Sequence, residues 1–142
     1  LPNGEILQAS QFRGPTKPGT SIVLSGDTAE QSIEPIVPVT VLIHEATFLD
    51  EAHGKAEAHL HSTASGAART ALHCKAEHLI LTHFSARLRD AGEAISEAGN
   101  VLHNCSVTAA NDGDRVRIDE AGHATFLSLS ENGWTQHNLS HH

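Results

Sequence analysis

Val39-Thr40-Val41-Leu42-Ile43-His44-Glu45, followed by His78-Leu79-Ile80-Leu81-Thr82-His83, is the part of the sequence that decides the fold. Both stretches are apolar and rich in β-branched residues, which predicts buried strands over residues 39–43 and 78–82. Between them, apolar residues recur at steps of three and four over residues 63–75, which predicts a helix with Ser62 or Thr63 at its N-cap. Strands that alternate with helices indicate an α/β layered domain.

The rest of the chain extends this pattern in both directions. An apolar, β-branched run predicts another strand at residues 21–25, and a second amphipathic helix is predicted at residues 90–102. We predict further strands at residues 5–7, 105–109, 115–118 and 124–129, a short helix or turn at 28–38, and a mobile connection or weak helix at 49–60. The late, hairpin-like strands favour a mixed sheet, and residues 131–142 are expected to be a flexible tail.

Size and composition exclude several classes of protein. A chain of 142 residues forms one domain at most, and none of its apolar runs approaches the roughly 20 residues that a membrane helix requires. The net charge of −8 disfavours general electrostatic attachment to nucleic acid. Cys74 and Cys105 lie in unrelated sequence contexts, which predicts two reduced, half-buried thiols in an intracellular protein.

Two residues at predicted strand ends are candidate metal ligands. Asp27 follows the strand at 21–25 in a Gly-Asp-Thr turn, and its carboxylate offers two oxygens of the kind that zinc accepts. The alternative is a turn aspartate that caps backbone amides. His83 follows the strand at 78–82, at the end of the sheet where α/β sites collect. Its alternative is a loop histidine bonded to the backbone.

Four further residues are candidates for catalysis or support. His61 precedes a predicted helix start, where the helix dipole favours a proton donor, although it is equally a helix-flanking histidine. Glu45 and His44 either orient the other groups or close a strand as a hydrogen-bonded pair. Arg87 either holds a phosphate in bidentate fashion or pairs with a nearby acid.

Taken in order, these motifs resemble the C-terminal half of ribonuclease Z, the tRNA 3′-end endonuclease of the metallo-β-lactamase superfamily. The resemblance covers roughly residues 1–118. It is carried by Ser25-Gly26-Asp27-Thr28, His44-Glu45-Ala46-Thr47-Phe48, His61-Ser62-Thr63, and Leu81-Thr82-His83-Phe84-Ser85-Ala86-Arg87.

The resemblance implies a fold and a set of roles. The fold is half of an αββα sandwich, with a mixed sheet flanked by helices, and residues 1–142 are its single C-terminal domain. Asp27 matches the aspartate that bridges two zinc ions, and His83 matches a histidine ligand of the second zinc. His61 matches the histidine that protonates the leaving 3′ oxygen, with Glu45 in support.

The sequence also departs from the family pattern. Leu88 stands where the family usually has tyrosine, Ala29 stands where arginine is common, and Leu60 replaces a glycine. No His-x-His-x-Asp-His motif occurs in the 142 residues, so the chain is expected to hold only part of a zinc site. A catalytic zinc normally takes about three protein ligands, so both zinc ions are expected only in a completed site, and the chain alone is expected to be inactive.

Three hypotheses follow for the function. The chain is the C-terminal part of a zinc-dependent ribonuclease Z completed by a separate N-terminal half, which carries His-x-His-x-Asp-His. Alternatively, it is a catalytically degenerate structural subunit of a larger assembly, such as an organellar ribosome, or a related hydrolase of small phosphodiesters.

The first hypothesis also sets the partners. The substrate is a tRNA precursor that binds the assembled complex. The complex is expected in the cytoplasm or in an organelle such as the mitochondrion, and no membrane is expected as a partner. A half sandwich is expected to leave a sheet face and an edge uncovered, so that the isolated chain forms homo- or hetero-oligomers or is insoluble.

Overall fold

The computed structural model describes residues 4, 6–15 and 19–139, so the predicted strand at 5–7 lies partly outside it, and Ile6 and Leu7 are not in a strand. Two short 3₁₀ helices occur at Ala9–Phe12 and Asp50–Ala52. The helices are α1 (His53–His59), α2 (Ala64–His73) and α3 (Ala91–Val101). The strands are β1 (Ile22–Leu24), β2 (Val41–Glu45), β3 (His78–Thr82), β4 (Ser106–Ala109), β5 (Arg115–Ile118), β6 (Ala124–Ser130) and β7 (Gly133–Asn138).

The first four strands form a parallel sheet in the order β1-β2-β3-β4. In its register Ile22 pairs with Val41, Leu42 with Leu79, and Leu79 with Val107. The two central strands are buried on both faces, as continuous apolar runs predict for parallel strands. This arrangement confirms the α/β fold class.

Helices α2 and α3 cover one face of the parallel sheet. Leu42, Leu79 and Leu81 point to this face and pack against the alanine-rich sides of α2 and α3. Small alanine side chains let the two helices lie close to the sheet, and the buried side of α2 follows the predicted spacing. Thr63 is its N-cap, because the Thr63 side chain accepts a hydrogen bond from the Gly66 amide.

The other face of the parallel sheet packs against a separate antiparallel sheet of order β5-β6-β7. Val41 and Ile80 are buried there against Ala124, Phe126 and Leu139. The expectation of an uncovered sheet face is therefore wrong for β2 and β3, the two central strands. Exposed apolar surface persists at β1, where Ile22 and Leu24 are 50% and 71% exposed.

The expected flexible tail from residue 131 is also wrong. Strand β7 pairs antiparallel with β6, and Trp134 lies opposite Leu129. The reason is the two-residue turn Glu131-Asn132, which is followed by Gly133 with a positive φ of 99° at the start of β7, as a tight hairpin requires. Ser140 and the two histidines after it lie outside the described residues.

Two other local predictions are resolved by the structure. Residues 28–38 contain no helix and run as bends, since Pro35 and Pro38 interrupt any helical hydrogen bonding. Residues 49–60 form a 3₁₀ turn followed by α1, which is the weak helix of the two alternatives. No helix of the described residues is long and apolar enough to cross a membrane.

The two cysteines are free thiols, and both belong to the hydrophobic core between the parallel sheet and the helices. Cys74 is fully buried rather than half-buried, because it follows α2 where that helix packs on the sheet. Burial, together with the nearby Cys74, raises the pKa of the Cys105 thiol to about 12. Both thiols are therefore protonated at neutral pH.

Candidate metal and catalytic site

The carboxyl ends of three adjacent parallel strands bring the candidate residues together. Asp27 follows β1 after a turn at Gly26, which has a positive φ of 61°. Glu45 is the last residue of β2, and His83 is the first residue after β3. Parallel strands end at the same edge of a sheet, so these three side chains meet there.

His61 reaches the same edge from the loop before α2. Phe48 and Thr63 form an isolated parallel bridge, in which the Phe48 amide donates to the Ser62 carbonyl at 3.2 Å. The bridge ties the segment after β2 to the start of α2, and thereby holds His61 beside the strand ends. The rings of His61 and His83 stack with their centroids 5.4 Å apart.

Asp27, His61 and His83 together make a possible cation site. One ligand atom from each lies within 4.8 Å of the other two. The His83 Nε2 and Asp27 Oδ2 atoms are 3.6 Å apart. Zinc bonds of about 2.0–2.2 Å in a tetrahedral arrangement put neighbouring donors about 3.4 Å apart, so this pair fits a zinc ion. Within the described part of the chain, no other His, Cys, Asp or Glu joins this group.

Glu45 lies beneath this group and is 1% exposed. Its Oε1 accepts hydrogen bonds from the Thr28 amide at 3.1 Å and from His61 Nδ1 at 2.7 Å. Its Oε2 accepts from the Thr47 amide at 3.0 Å and the Thr47 hydroxyl at 2.8 Å. Burial opposes ionisation, but these hydrogen bonds outweigh it and hold the pKa of the Glu45 carboxyl below its ordinary value. Glu45 is therefore a carboxylate at neutral pH.

The ionised Glu45 fixes the orientation of His61. A carboxylate is only an acceptor, so Nδ1 of His61 carries the proton in their 2.7 Å hydrogen bond. The Nε2 atom of His61 is then left for a cation or for proton transfer to a substrate. This is the carboxylate–histidine arrangement that fixes a tautomer in many metal and catalytic sites.

Thr47 is a residue of the candidate site that sequence reasoning did not single out. Its hydroxyl lies 2.8 Å from Glu45 Oε2, 2.9 Å from His83 Nδ1 and 3.3 Å from His61 Nδ1. It therefore links the carboxylate to both imidazoles. No local sequence signal marks it, because the two imidazoles that it contacts come from distant parts of the chain.

His83 also has an unusual backbone conformation. Its φ of 56° is in the left-handed region, which residues other than glycine rarely adopt. Such conformations collect at functional sites, where the surrounding structure enforces them. Here the Thr47 hydrogen bond and the start of the loop after β3 hold the imidazole toward Asp27.

The other two candidates lie apart from the cation group. His44 is fully buried, on the sheet face that packs against the helices, and its Nδ1 donates to the Glu45 carbonyl at 2.7 Å. Its Nε2 has no hydrogen-bond partner among the described residues, and burial lowers the pKa of this imidazole. Arg87 is exposed and lines a neighbouring cavity, without an ion pair to any acid in the described chain.

Comparison with known proteins identifies related sequences. No family model matches the chain. Ribonuclease Z of Halalkalibacterium halodurans is 44% identical over 75% of this chain, and ribonuclease Z of Nitrosopumilus maritimus is 38% identical over the same share. Ribonuclease Z of Haloferax volcanii is 31% identical over 85% of the chain. The chain spans only 36% to 39% of the length of these relatives.

A solved structure supports the fold. The metallo-β-lactamase fold protein YhfI of Bacillus subtilis superposes with a TM-score of 0.55 at 23% identity, over 65% of this chain and 37% of that one. At this identity the likeness concerns the fold alone, and it places the chain in the metallo-β-lactamase fold. The sequence matches show that the chain is similar to a part of ribonuclease Z that makes up a little over a third of those relatives' length.

Proposed function

We propose that residues 1–142 act as the C-terminal part of a zinc-dependent endoribonuclease that processes tRNA 3′ ends. The observation that carries this proposal is the meeting of Asp27, His61 and His83 above the buried Glu45. A degenerate structural subunit has no need of a carboxylate and two imidazoles whose ligand atoms lie within 4.8 Å of one another.

Asp27 and His83 alone are too few ligands for two zinc ions, since a catalytic zinc normally takes about three protein ligands. We propose that a complementary polypeptide, with the His-x-His-x-Asp-His motif, supplies the other ligands. The short coverage of the ribonuclease Z relatives agrees with such a division.

Asp27 and His83 are the residues that would hold zinc in the completed site. Zinc bound there would supply positive charge for the scissile phosphate and would activate the attacking water. The Thr47 hydroxyl holds His83 through Nδ1, which leaves Nε2 directed at Asp27.

His61 is the proposed proton donor. Glu45 accepts the Nδ1 proton of His61 in a hydrogen bond and fixes the orientation of the ring, so Nε2 is the atom that would deliver a proton to the leaving 3′ oxygen. The negative net charge of the chain means that the complementary polypeptide must supply most of the grip on tRNA.

Co-expression of the chain with such a complementary polypeptide tests the proposal. The complex should contain about two zinc ions by elemental analysis and should cleave a precursor tRNA at its 3′ end. Asp27→Ala should remove zinc and cleavage. His61→Ala should keep zinc and lower the rate of cleavage by a factor of about 10² to 10⁴, which is the usual contribution of a general acid.

The matched control is Asp119→Ala. Asp119 is also an aspartate beside a histidine, with 3.0 Å between its Oδ2 and His123 Nδ1, but the pair is exposed and lies within one loop. This variant should keep zinc and cleavage unchanged. Zinc that survives Asp27→Ala would contradict the metal assignment, and a complex without zinc or cleavage would favour a structural subunit.

A further inference from the structure

A cavity of about 270 Å³ adjoins the candidate site and is not used by the proposed chemistry. Lys55, Arg87 and Arg89 line it, and its apolar wall includes Phe48 and Leu88. These three cations are a third of the nine Lys and Arg residues in a chain of net charge −8. One cavity beside the site therefore holds a third of the cationic side chains of this acidic protein.

The three cations are available to a ligand. All three are exposed, and none forms an ion pair within 4.0 Å of an acid in the part of the chain that the structure describes. Arg69, by contrast, is engaged by Glu30 at 2.8 Å. Glu51 and Glu93 also line the cavity, so its formal charge is +1.

The cavity is joined directly to the candidate site. Thr47 lines it and also bonds to Glu45 and both imidazoles of the site. The Ser85 amide donates to the Thr47 carbonyl at 3.1 Å, which fixes the loop that carries Arg87 against the segment after β2. A polymer that places one phosphate at His61 and His83 can therefore place an adjoining nucleotide in the cavity.

We propose that this cavity is a subsite for a nucleotide of single-stranded RNA next to the scissile phosphate. Lys55, Arg87 and Arg89 bind its phosphate, and Phe48 and Leu88 contact its ribose or base. Guanidinium groups suit phosphate because their donors form a planar fork, and aromatic surface suits any base. The subsite deepens the proposed function and rests on it.

The test measures binding of a short fluorescent oligouridine to the full chain by anisotropy, with EDTA present to remove metal. Affinity should fall with KCl between about 50 and 200 mM, with a slope of about 0.7 in log–log form for one phosphate contact. Extrapolated to 1 M salt, where the attraction between the cations and the phosphate is screened, that slope corresponds to an affinity about eightfold lower than at 0.05 M salt. The combined variant Lys55→Gln, Arg87→Gln, Arg89→Gln should lose about this factor and most of the slope.

The matched control removes three other exposed cations, Arg13→Gln, Lys75→Gln and Arg117→Gln, for the same change in net charge. It should keep at least half of the native affinity. Glu93→Gln should strengthen binding, since it removes a carboxylate that repels phosphate. Inorganic pyrophosphate should compete poorly, because it has nothing to contact the apolar wall.

Equal losses in the two triple variants would show general charge attraction and would overturn the subsite, as would the absence of binding at low salt. Pyrophosphate that displaces the oligomer as well as oligouridine itself would overturn the nucleotide assignment. Because the assay excludes metal and turnover, cavity-dependent binding would stand even if the zinc and cleavage tests failed. Thermal unfolding of each variant by circular dichroism verifies that it is folded.

Discussion

Glu45→Gln is expected to destabilise the fold strongly, because the carboxylate is almost completely buried and accepts four hydrogen bonds. Each oxygen serves two donors, one of which is a backbone amide, from Thr28 or Thr47. A glutamine amide nitrogen cannot accept, so either orientation of the new side chain leaves two donors without an acceptor.

The size of the loss in stability depends on which of the four donors can find another acceptor. The Thr47 hydroxyl can rotate and His61 can change tautomer, but a backbone amide cannot move its proton. One buried amide without a partner costs about 1–3 kcal/mol, and breaking a buried ion pair costs about 3–5 kcal/mol. We expect Glu45→Gln to lower the free energy of unfolding by about 2–4 kcal/mol, between these two limits.

The assay is urea unfolding at neutral pH, followed by circular dichroism. Glu57→Gln is the matched control, since Glu57 also faces a histidine, His53, at 3.3 Å, but with its side chain 72% exposed. Surface pairs of this kind contribute about 0–1 kcal/mol. If Glu45→Gln cost no more than Glu57→Gln, the buried carboxylate would not organise the site as argued.

Three further outcomes follow from the same structure. Thr47→Val removes the hydroxyl that links Glu45 to His83, so the completed enzyme should keep its fold but bind zinc about 10- to 100-fold more weakly, as titration against a chelator would show. Thr63→Ala removes the N-cap of α2 and should cost about 1 kcal/mol in urea unfolding, whereas no loss would mean that water caps this helix end equally well. Burial lowers the pKa of His44, so the unfolded chain binds its proton first, and stability should fall as the pH drops below about 6.5 towards the folded pKa. The variant His44→Phe should flatten that fall in stability below about pH 6.5, and an unchanged pH profile would show that another group is responsible.

The sequence predicted the helical and parallel-sheet part of the fold closely. Strands β3 and β5 have the predicted bounds, and α2 and α3 differ from prediction by one or two residues at their ends. These elements have strong periodicity or continuous apolar runs, which are local properties of the chain. The convergence of Asp27, Glu45 and His83 was also predictable, because each lies at or just after the carboxyl end of a strand of one parallel sheet.

The misses have a different physical origin. The role of Thr47 depends on two imidazoles that come from distant parts of the chain, so no local pattern indicates it. Strand β7 has little apolar content, and only its pairing with β6 and the turn at Gly133 make it a strand. The covered sheet face was missed because packing between β2 and β6 is a tertiary contact between segments that are far apart in sequence.

The β1 edge of the parallel sheet carries exposed apolar side chains. Ile22 and Leu24 lie in register with Val41 and Ile43, on the face that the antiparallel sheet covers elsewhere. A three-residue edge strand with exposed apolar side chains favours pairing with another chain.

The central claim is that Asp27 and His83 hold zinc in a site which a second polypeptide completes. Anomalous diffraction at the zinc edge, from crystals of the chain with its complementary polypeptide, tests this claim most directly. We predict zinc peaks about 2.0–2.2 Å from an Asp27 carboxylate oxygen and a His83 ring nitrogen. Zinc bound elsewhere, with both side chains free of metal, would contradict the account.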